Sequence, residues 1–431
     1  MQKDLTPSPS PAERGVKNTN RKSSATAGRR DLGMRSFLFI LAFCTTLAGF
    51  AQQKDTILLK ITVESGKYTR TNTPISVVTE AVLPEAAEMA FYEKIGKTRK
   101  PVAFQLERGR VSVLNLVLDG STSAGKTRRY ILVKGKAKPG PVPSVALIQQ
   151  TGSVTLTQRQ RNVLQYNHTV ADVPPGVDTL YRRSGYIHPL WSPGGEVLTR
   201  IQPPDHYHHY GLWNPWTKTD VEGKEVDFWN LHKGQGKVKF IGYEGFETGP
   251  VFTGFRALQQ HIVFNPDKSE KTAINEAWRV KAYDTQQNVS VIDFVSELNN
   301  ALPTDIVLKA YTYGGGIGFR ASEKWHADNC DLLTSEGKTR ADANGSKARW
   351  CLVSGESNAK EKQSGILFLC HPINREYPQP LRIWGADFNK GRENMFVNFT
   401  PTQYKDWTLK PGQTYAQTYR LVTFDGKLTP E

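Results

Sequence analysis

Cysteine is scarce in this chain, with four residues in 431. Cys44 lies in an N-terminal apolar run, which leaves Cys330, Cys351 and Cys370. An odd number excludes a full disulfide framework and allows at most one pair. No Cys-x-x-Cys spacing occurs, so thiolate zinc knuckles are excluded as a scaffold. No amphipathic pattern runs for three helical turns, which argues against a helical or α/β fold. Lysine and arginine never run longer than two, and no basic cluster is interleaved with aromatics. The net charge of +15 is therefore not the footprint of a nucleic-acid binder. Neither tryptophan nor histidine falls between Asp55 and Arg161, whereas all nine tryptophans lie between Trp191 and Trp407. With no disulfide framework and no thiolate zinc scaffold to hold it, the fold must rest on packing.

The N-terminus has a targeting texture. Arg29, Arg30 and Arg35 precede the apolar run Phe37–Phe50, which ends in small residues around Ala51. Positive, then apolar, then small is the order of a secretory signal, and the run is short of the roughly 20 residues a spanning helix needs. The expectation is an exported protein, periplasmic or extracellular, cleaved near Ala51, with no transmembrane segment afterwards. Met34 is an alternative start. Eight of the 56 Lys/Arg and three of the 41 Asp/Glu fall in residues 1–51, so the remainder carries a net +10, read as a basic solvated surface.

Three regions follow: an extension and signal at 1–51, a small β module and linker at 52–150, and a large all-β domain at 156–431. Ile57–Val63, Val111–Leu118 and Tyr130–Val133 read as strands of the small module, with a helical turn expected within Thr79–Ile95. A module without tryptophan or histidine suits an Ig-like appendage better than a catalytic unit. Lys136–Ser144 is Pro-rich and reads as a linker. Beyond it come short strand-like runs, among them Glu196–Ile201, Phe252–Phe264, Ile274–Tyr283, Val289–Leu298, Ile306–Tyr311 and Thr414–Phe424. Many strands, turn signals and no helices predict a large antiparallel double sheet.

The chemistry-bearing stretch is Pro204-Asp205-His206-Tyr207-His208-His209-Tyr210-Gly211-Leu212-Trp213. Three histidines in four positions beside a carboxylate suit acid/base work or metal ligation. In extended backbone His206 and His208 share a face and His209 points away; in a turn all three converge. A divalent metal (zinc or calcium) with His206, His208 and His209 as ligands, or with Asp205 or His188 replacing one of them, is one reading. His188 lies upstream, and a hairpin over Glu196–Ile201 would bring it near His206. Asp227 and Trp229 follow, and Trp213, Trp216 and Trp229 are candidates to stack on sugar rings. Tyr313–Arg320 is a glycine run without the Lys-Ser/Thr of a phosphate loop, so its glycines let backbones pass closely. Arg320 at its end is a candidate clamp for a substrate carboxylate. Glu276 is an acid on an otherwise apolar strand face, and His371 ends a buried-looking strand.

These residues carry a family resemblance. Tyr186–Gly195, the Pro204–Trp213 segment and Asp227-Phe228-Trp229 resemble the PmoA family, also called DUF6807, over roughly Leu156–Asp425. Gly314–Arg320 and His371–Asn374 are similar to its later landmarks. Two departures stand out: Tyr207 where proline is common, and Cys370 where aspartate is expected before His-Pro. The methane monooxygenase role in the family's first name is rejected, because such a subunit needs several membrane spans. What the resemblance implies is an exported bacterial β-protein found alongside carbohydrate-processing proteins. The size and strand texture are similar to the galactose-mutarotase-like supersandwich, whose cleft carries His, Glu and Arg.

Function is thus expected to be carbohydrate-linked. The first reading is an enzyme, hydrolase, lyase or epimerase, acting on a sugar or other small-molecule substrate. His206 or His208 would be its acid/base, Asp205 the orienting group, and Arg320 and Glu276 further catalytic groups. His188, Trp213, Trp229, Asp227 and His371 would bind substrate. The alternatives are a non-catalytic carbohydrate-binding protein and a metal-dependent protein.

Overall fold

A computed structural model describes residues 56–136, 142–285, 288–385 and 394–428. The extension and signal at 1–51 and part of the Pro-rich linker lie outside the described residues. The fold is all-β. Strand Val289–Asn300 shows why: from Asp293 onward, partly exposed and buried positions alternate, with Phe294, Ser296, Leu298 and Asn300 turned inward. A period of two is what a pleated strand with one buried face requires.

Two large antiparallel sheets form the body. One has eight strands in the order Gly236–Thr248, Phe252–Phe264, Glu270–Tyr283, Val289–Asn300, Thr414–Asp425, Gln363–Cys370, Trp350–Glu356 and Cys330–Thr334. The other has nine: Lys347–Ala348, Gln379–Ile383, Phe396–Phe399, Gly318–Arg320, Leu212–Trp213, Tyr186–Leu190, Arg161–Asn167, Ser153–Gln158 and Val145–Gln149. Leu156, Leu164, Tyr166 and Phe319 from the nine-stranded sheet share one core with Phe255, Trp278, Phe294, Phe368 and Leu421 from the eight-stranded sheet. Each such side chain contributes about 1.5–3 kcal/mol on burial. A four-stranded sheet (Lys224–Val226, Thr219–Val221, Ile306–Leu308, Trp407–Leu409) caps a second cluster around Trp216.

Residues 57–134 form a four-stranded and a three-stranded sheet around Leu59, Ile61, Leu114, Leu116 and Leu132. They meet the eight-stranded sheet through the Lys281–Glu107 ion pair at 2.5 Å. Gln105 Oε1 also accepts the N–H groups of Val251 and Phe252.

Some local expectations change. Glu196–Ile201 is not a strand but a loop touching its neighbours through isolated bridges, Trp191 to Val197, Thr199 to Ala321 and Ile201 to Tyr210. Gly194 and Gly195 turn the chain before it, and Pro203 and Pro204 lack the N–H that a ladder needs after it. Of Thr79–Ile95, only Ala86–Glu88 is a helical turn, and Met89–Ile95 is a strand. Ile306–Tyr311 shortens to Ile306–Leu308. Val145–Gln149, placed by its sequence with the small module, pairs with Ser153–Gln158 in the nine-stranded sheet. Cys330, Cys351 and Cys370 are free and buried. Burial pushes the Cys330 and Cys370 thiols up to about 12, so neither is a reactive thiolate at neutral pH. No helix among the described residues is long and apolar enough to cross a membrane.

Candidate functional site

The histidine stretch folds as two consecutive tight turns. The His206 N–H donates to Pro203 O at 2.8 Å, and the His209 N–H to His206 O at 3.0 Å. Gln202 N–H to His209 O and Gly211 N–H to Arg200 O tie the ends. Gly211 has φ +64°, and a Cβ there would strike the Ile187 carbonyl, so only glycine fits. Turned this way, the three imidazoles converge. His206 lies 5.4 Å from His208 and 4.8 Å from His209, centre to centre, and His208 lies 4.9 Å from His209.

The three rings sit in different surroundings. His206 is partly open, with a side-chain exposure of 24%. Its Nδ1 donates to Asp205 Oδ2 at 2.9 Å. With the ring neutral, this leaves Nε2 as the lone-pair nitrogen, and no described residue bonds to it. Arg320 Nη2 holds both Asp205 oxygens, at 3.0 and 2.8 Å. Burial alone would raise the Asp205 pKa, but the His206 bond and the guanidinium outweigh it and hold the carboxyl well below its usual range. Arg320 is itself fully buried, its guanidinium 4.7 Å over the Trp384 ring.

His208 and His209 belong to the wall behind. Burial, then the neighbouring His206, drives the His208 pKa down to about 3. Burial also lowers His209, which is caged by Trp213, Trp229, Trp384 and Phe396 at 5.1–5.4 Å. Arg320 Nη1 stands 3.5 Å from His209 Nδ1 and can only donate, so the His209 proton sits on Nε2. That Nε2 has no hydrogen-bond partner.

Among the described residues no group of three or more His, Cys, Asp or Glu is arranged to hold a metal ion.

Other expected roles change. Arg320 clamps Asp205 rather than a substrate carboxylate: its Nη2 holds both Asp205 oxygens and the side chain has no surface. Glu276 is saturated: Oε1 accepts from Asn214, Trp278 Nε1 (2.7 Å) and Ser296 (2.6 Å), and Oε2 contacts His261 at 2.8 Å. It is a structural node of the eight-stranded sheet. Asp227 accepts the N–H groups of Trp229 and Asn230, the Asn230 amide and Lys233 Nζ, so it shapes the turn that carries Trp229 inward. Trp213 and Trp229 are buried, their faces taken by His209 and Phe396, and cannot stack on a sugar. Trp216 packs on Trp407 in the second cluster.

His371 is electrostatically tied to Asp293 and Arg420, apart from the loop. His188 does not reach His206. Its ring bonds Thr199 Oγ1 at 2.9 Å and lines an open groove of about 750 Å³. The intended hairpin does not form; instead the Ile187–Leu212 ladder pair sets His188 beside Gly211 at the end of the histidine loop.

Several contributors were invisible in the sequence. Trp384 and Phe396 build the cage from strands distant in the chain. Arg382 lies 4.6 Å over the Tyr313 ring and bonds its hydroxyl at 2.8 Å. Tyr181 packs on Tyr207 at 5.5 Å. Arg183 is buried with none of its guanidinium nitrogens bonded to a described residue, and burial lowers it to about 10. No motif marks any of these; only the bracketing aromatics near Trp384 could have hinted at one.

Three solved structures show how far the likeness extends. A glycosyl hydrolase family 38 protein from Enterococcus faecalis is 10% identical, with 86% of this chain and 44% of that chain covered and a TM-score of 0.41. A galactose mutarotase related enzyme from Lactobacillus acidophilus is 10% identical, covering 66% and 100%, at 0.34. A heparan sulfate lyase from Pedobacter heparinus is 10% identical, covering 69% and 38%, at 0.31. The chain thus spans less than half the length of the hydrolase and of the lyase. No curated protein matches it. Residues 153–431, which hold the eight-stranded sheet, all but the Val145–Gln149 edge strand of the nine-stranded sheet, and the histidine loop, match DUF6807, and the chain belongs to that family of unknown function.

Proposed function

We propose that this chain is an exported carbohydrate-active enzyme in which His206 is the general acid/base on a sugar or glycoside derivative. Asp205 and Arg320 are positioning residues. The Asp205–His206 pair carries the reading: a carboxylate behind Nδ1, itself locked by a buried guanidinium, with Nε2 left as the working nitrogen of the one partly open ring in the loop. A carboxylate in that place fixes ring orientation and stabilises the imidazolium that forms when Nε2 takes a proton. Positioned proton transfer contributes about 10²–10⁴-fold to rate. Hydrolysis, elimination and epimerisation all need such a transfer. The sugar class is supported by the family resemblance and by the partly buried Tyr181, Tyr207 and Tyr313 around the loop. Export is supported by the Arg29–Ala51 pattern.

The test is a turnover screen of the purified protein on free and glycosidic sugars, with His206→Ala and Asp205→Asn beside it. The expected result is turnover in the wild type and a loss of about 10²-fold or more in His206→Ala with unchanged circular dichroism. Full activity in His206→Ala overturns the assignment. A wild type that binds sugars and turns none over makes the chain a binding protein instead.

A further inference from the structure

The groove beside His188 takes no part in the acid/base arrangement, yet it is built like a ligand site. Its volume of about 750 Å³ falls within the roughly 300–1,000 Å³ of small-ligand pockets. The loop Gly194–Gln202 forms one wall, and Ser322–Lys324 with Asn358–Ala359 forms the other. The Gly194 N–H donates to Asp425 Oδ2, which seats the turn at its end.

Its charges cancel. Lys324 Nζ pairs with Glu196 Oε1 at 2.7 Å, and Arg200 Nη2 with Glu323 Oε2 at 3.5 Å. The Glu196 side chain is only 8% exposed and also accepts the Asn358 N–H at 3.0 Å. Burial alone would raise the Glu196 pKa, but Lys324 and these donors outweigh it and keep it ionised. Thr199 Oγ1 accepts the Leu190 N–H at 3.1 Å and bonds His188 Nδ1 at 2.9 Å. Burial lowers the His188 pKa to about 4, so the ring stays neutral at ordinary pH and offers one donor and one acceptor nitrogen.

Acceptors and donors therefore alternate around a groove without net charge. We infer that this groove is a second, separate ligand site, for an uncharged and hydroxyl-rich molecule such as a neutral saccharide. Each hydroxyl both donates and accepts, so it can bond Glu196 or Glu323 on one side and Lys324 or Arg200 on the other. A charged ligand meets as much repulsion as attraction. The groove touches the histidine loop through two backbone bonds, Gln202 N–H to His209 O and Gly211 N–H to Arg200 O, and through Gln202 Nε2, which donates to Tyr210 Oη at 2.7 Å; none of these bonds is to the His206 ring. Its occupancy does not depend on the role of His206.

The test is calorimetric titration of the full chain carrying His206→Ala, so that turnover cannot contribute to the signal. The probes are glucose, galactose, maltose and cellobiose, with glucuronate and glucosamine as charged counterparts. At least one neutral sugar is expected to bind about tenfold more tightly than its charged counterpart. Lys324→Ala and Arg200→Ala, at partly exposed ion pairs that should leave the fold intact, should each weaken it about fivefold or more. No binding of any neutral sugar at about 50 mM, tighter binding of glucuronate or glucosamine, or an unchanged Kd in both variants overturns the inference. Binding in the His206→Ala chain, together with a wild type that turns over no sugar, upholds the groove and rejects the enzyme reading.

Discussion

Replacing Arg320 by methionine isolates the ion pair on which the His206 geometry depends. Arg320 Nη2 lies 2.8 and 3.0 Å from the two Asp205 oxygens, and both side chains are almost fully buried. Methionine keeps an apolar stem over Trp384 while removing the charge. Breaking a buried pair from one side costs about 3–5 kcal/mol, because the partner's charge stays buried and uncompensated. At roughly 2.1 cal/mol/K of unfolding entropy per residue, that is a fall in Tm of about 3–6 °C for a chain of this size.

The pH dependence has a definite sign. The folded pKa of Asp205 is held below its unfolded value, so the pair's stability is fully present above the unfolded carboxylate value, about 3.9, and is lost as pH falls through the folded one. The gap between wild type and Arg320→Met should be widest at pH 7 and narrow below about pH 4. Denaturant unfolding at pH 7 and pH 3 measures it. A gap under about 1 kcal/mol at pH 7, or one of equal size at both pH values, refutes the reasoning.

The buried histidines add a second acid-side effect: His188, His208 and His209 are kept neutral by burial, so stability present above about pH 6.5 is lost as pH falls toward their lowered values. Thermal melts from pH 7.5 to 5 should show a falling Tm, with a flatter slope in His208→Phe; identical slopes count against it. Glu276→Gln turns an amide N–H₂ toward donors that now meet a carboxylate and should cost about 3 kcal/mol in denaturant unfolding. A loss under about 1 kcal/mol would show that the charge is not needed. Gly315→Ala places a Cβ inside the Trp216 indole at φ +66° and should abolish soluble expression. Gly337→Ala, with φ +75° and open space around it, should cost only about 1–2 kcal/mol, and comparable expression of the two variants would contradict the packing argument.

The strand-rich architecture was legible because alternation is local: Val289–Asn300 shows its buried face in its own letters. Boundaries failed where tertiary pairing was missing, as at Glu196–Ile201, whose apolar alternation has no continuous partner strand. The Asp205–His206 contact was legible too, since adjacent residues in a turn can meet. The fates of Arg320, Glu276 and Asp227 were not. Each is a charged group whose partners come from other elements or from its own turn, and a single sequence does not state which donors will be near.

What the sequence by itself determined is the class of fold and the loop that carries the candidate site: short strand-like runs without helices, and three histidines beside an acid in a glycine- and proline-bounded loop. Only the tertiary structure decided which histidine faces outward. His206, His208 and His209 have the same side chain and nearly the same position in the chain. Trp384, Phe396 and Arg320, more than a hundred residues away in the chain, close around His209, and Trp229 packs on His208, whereas His206 packs on Trp384 but stays partly open. Burial is a property of that long-range packing, and it is burial that keeps His208 and His209 neutral, while His206 is the imidazole of the three left partly open.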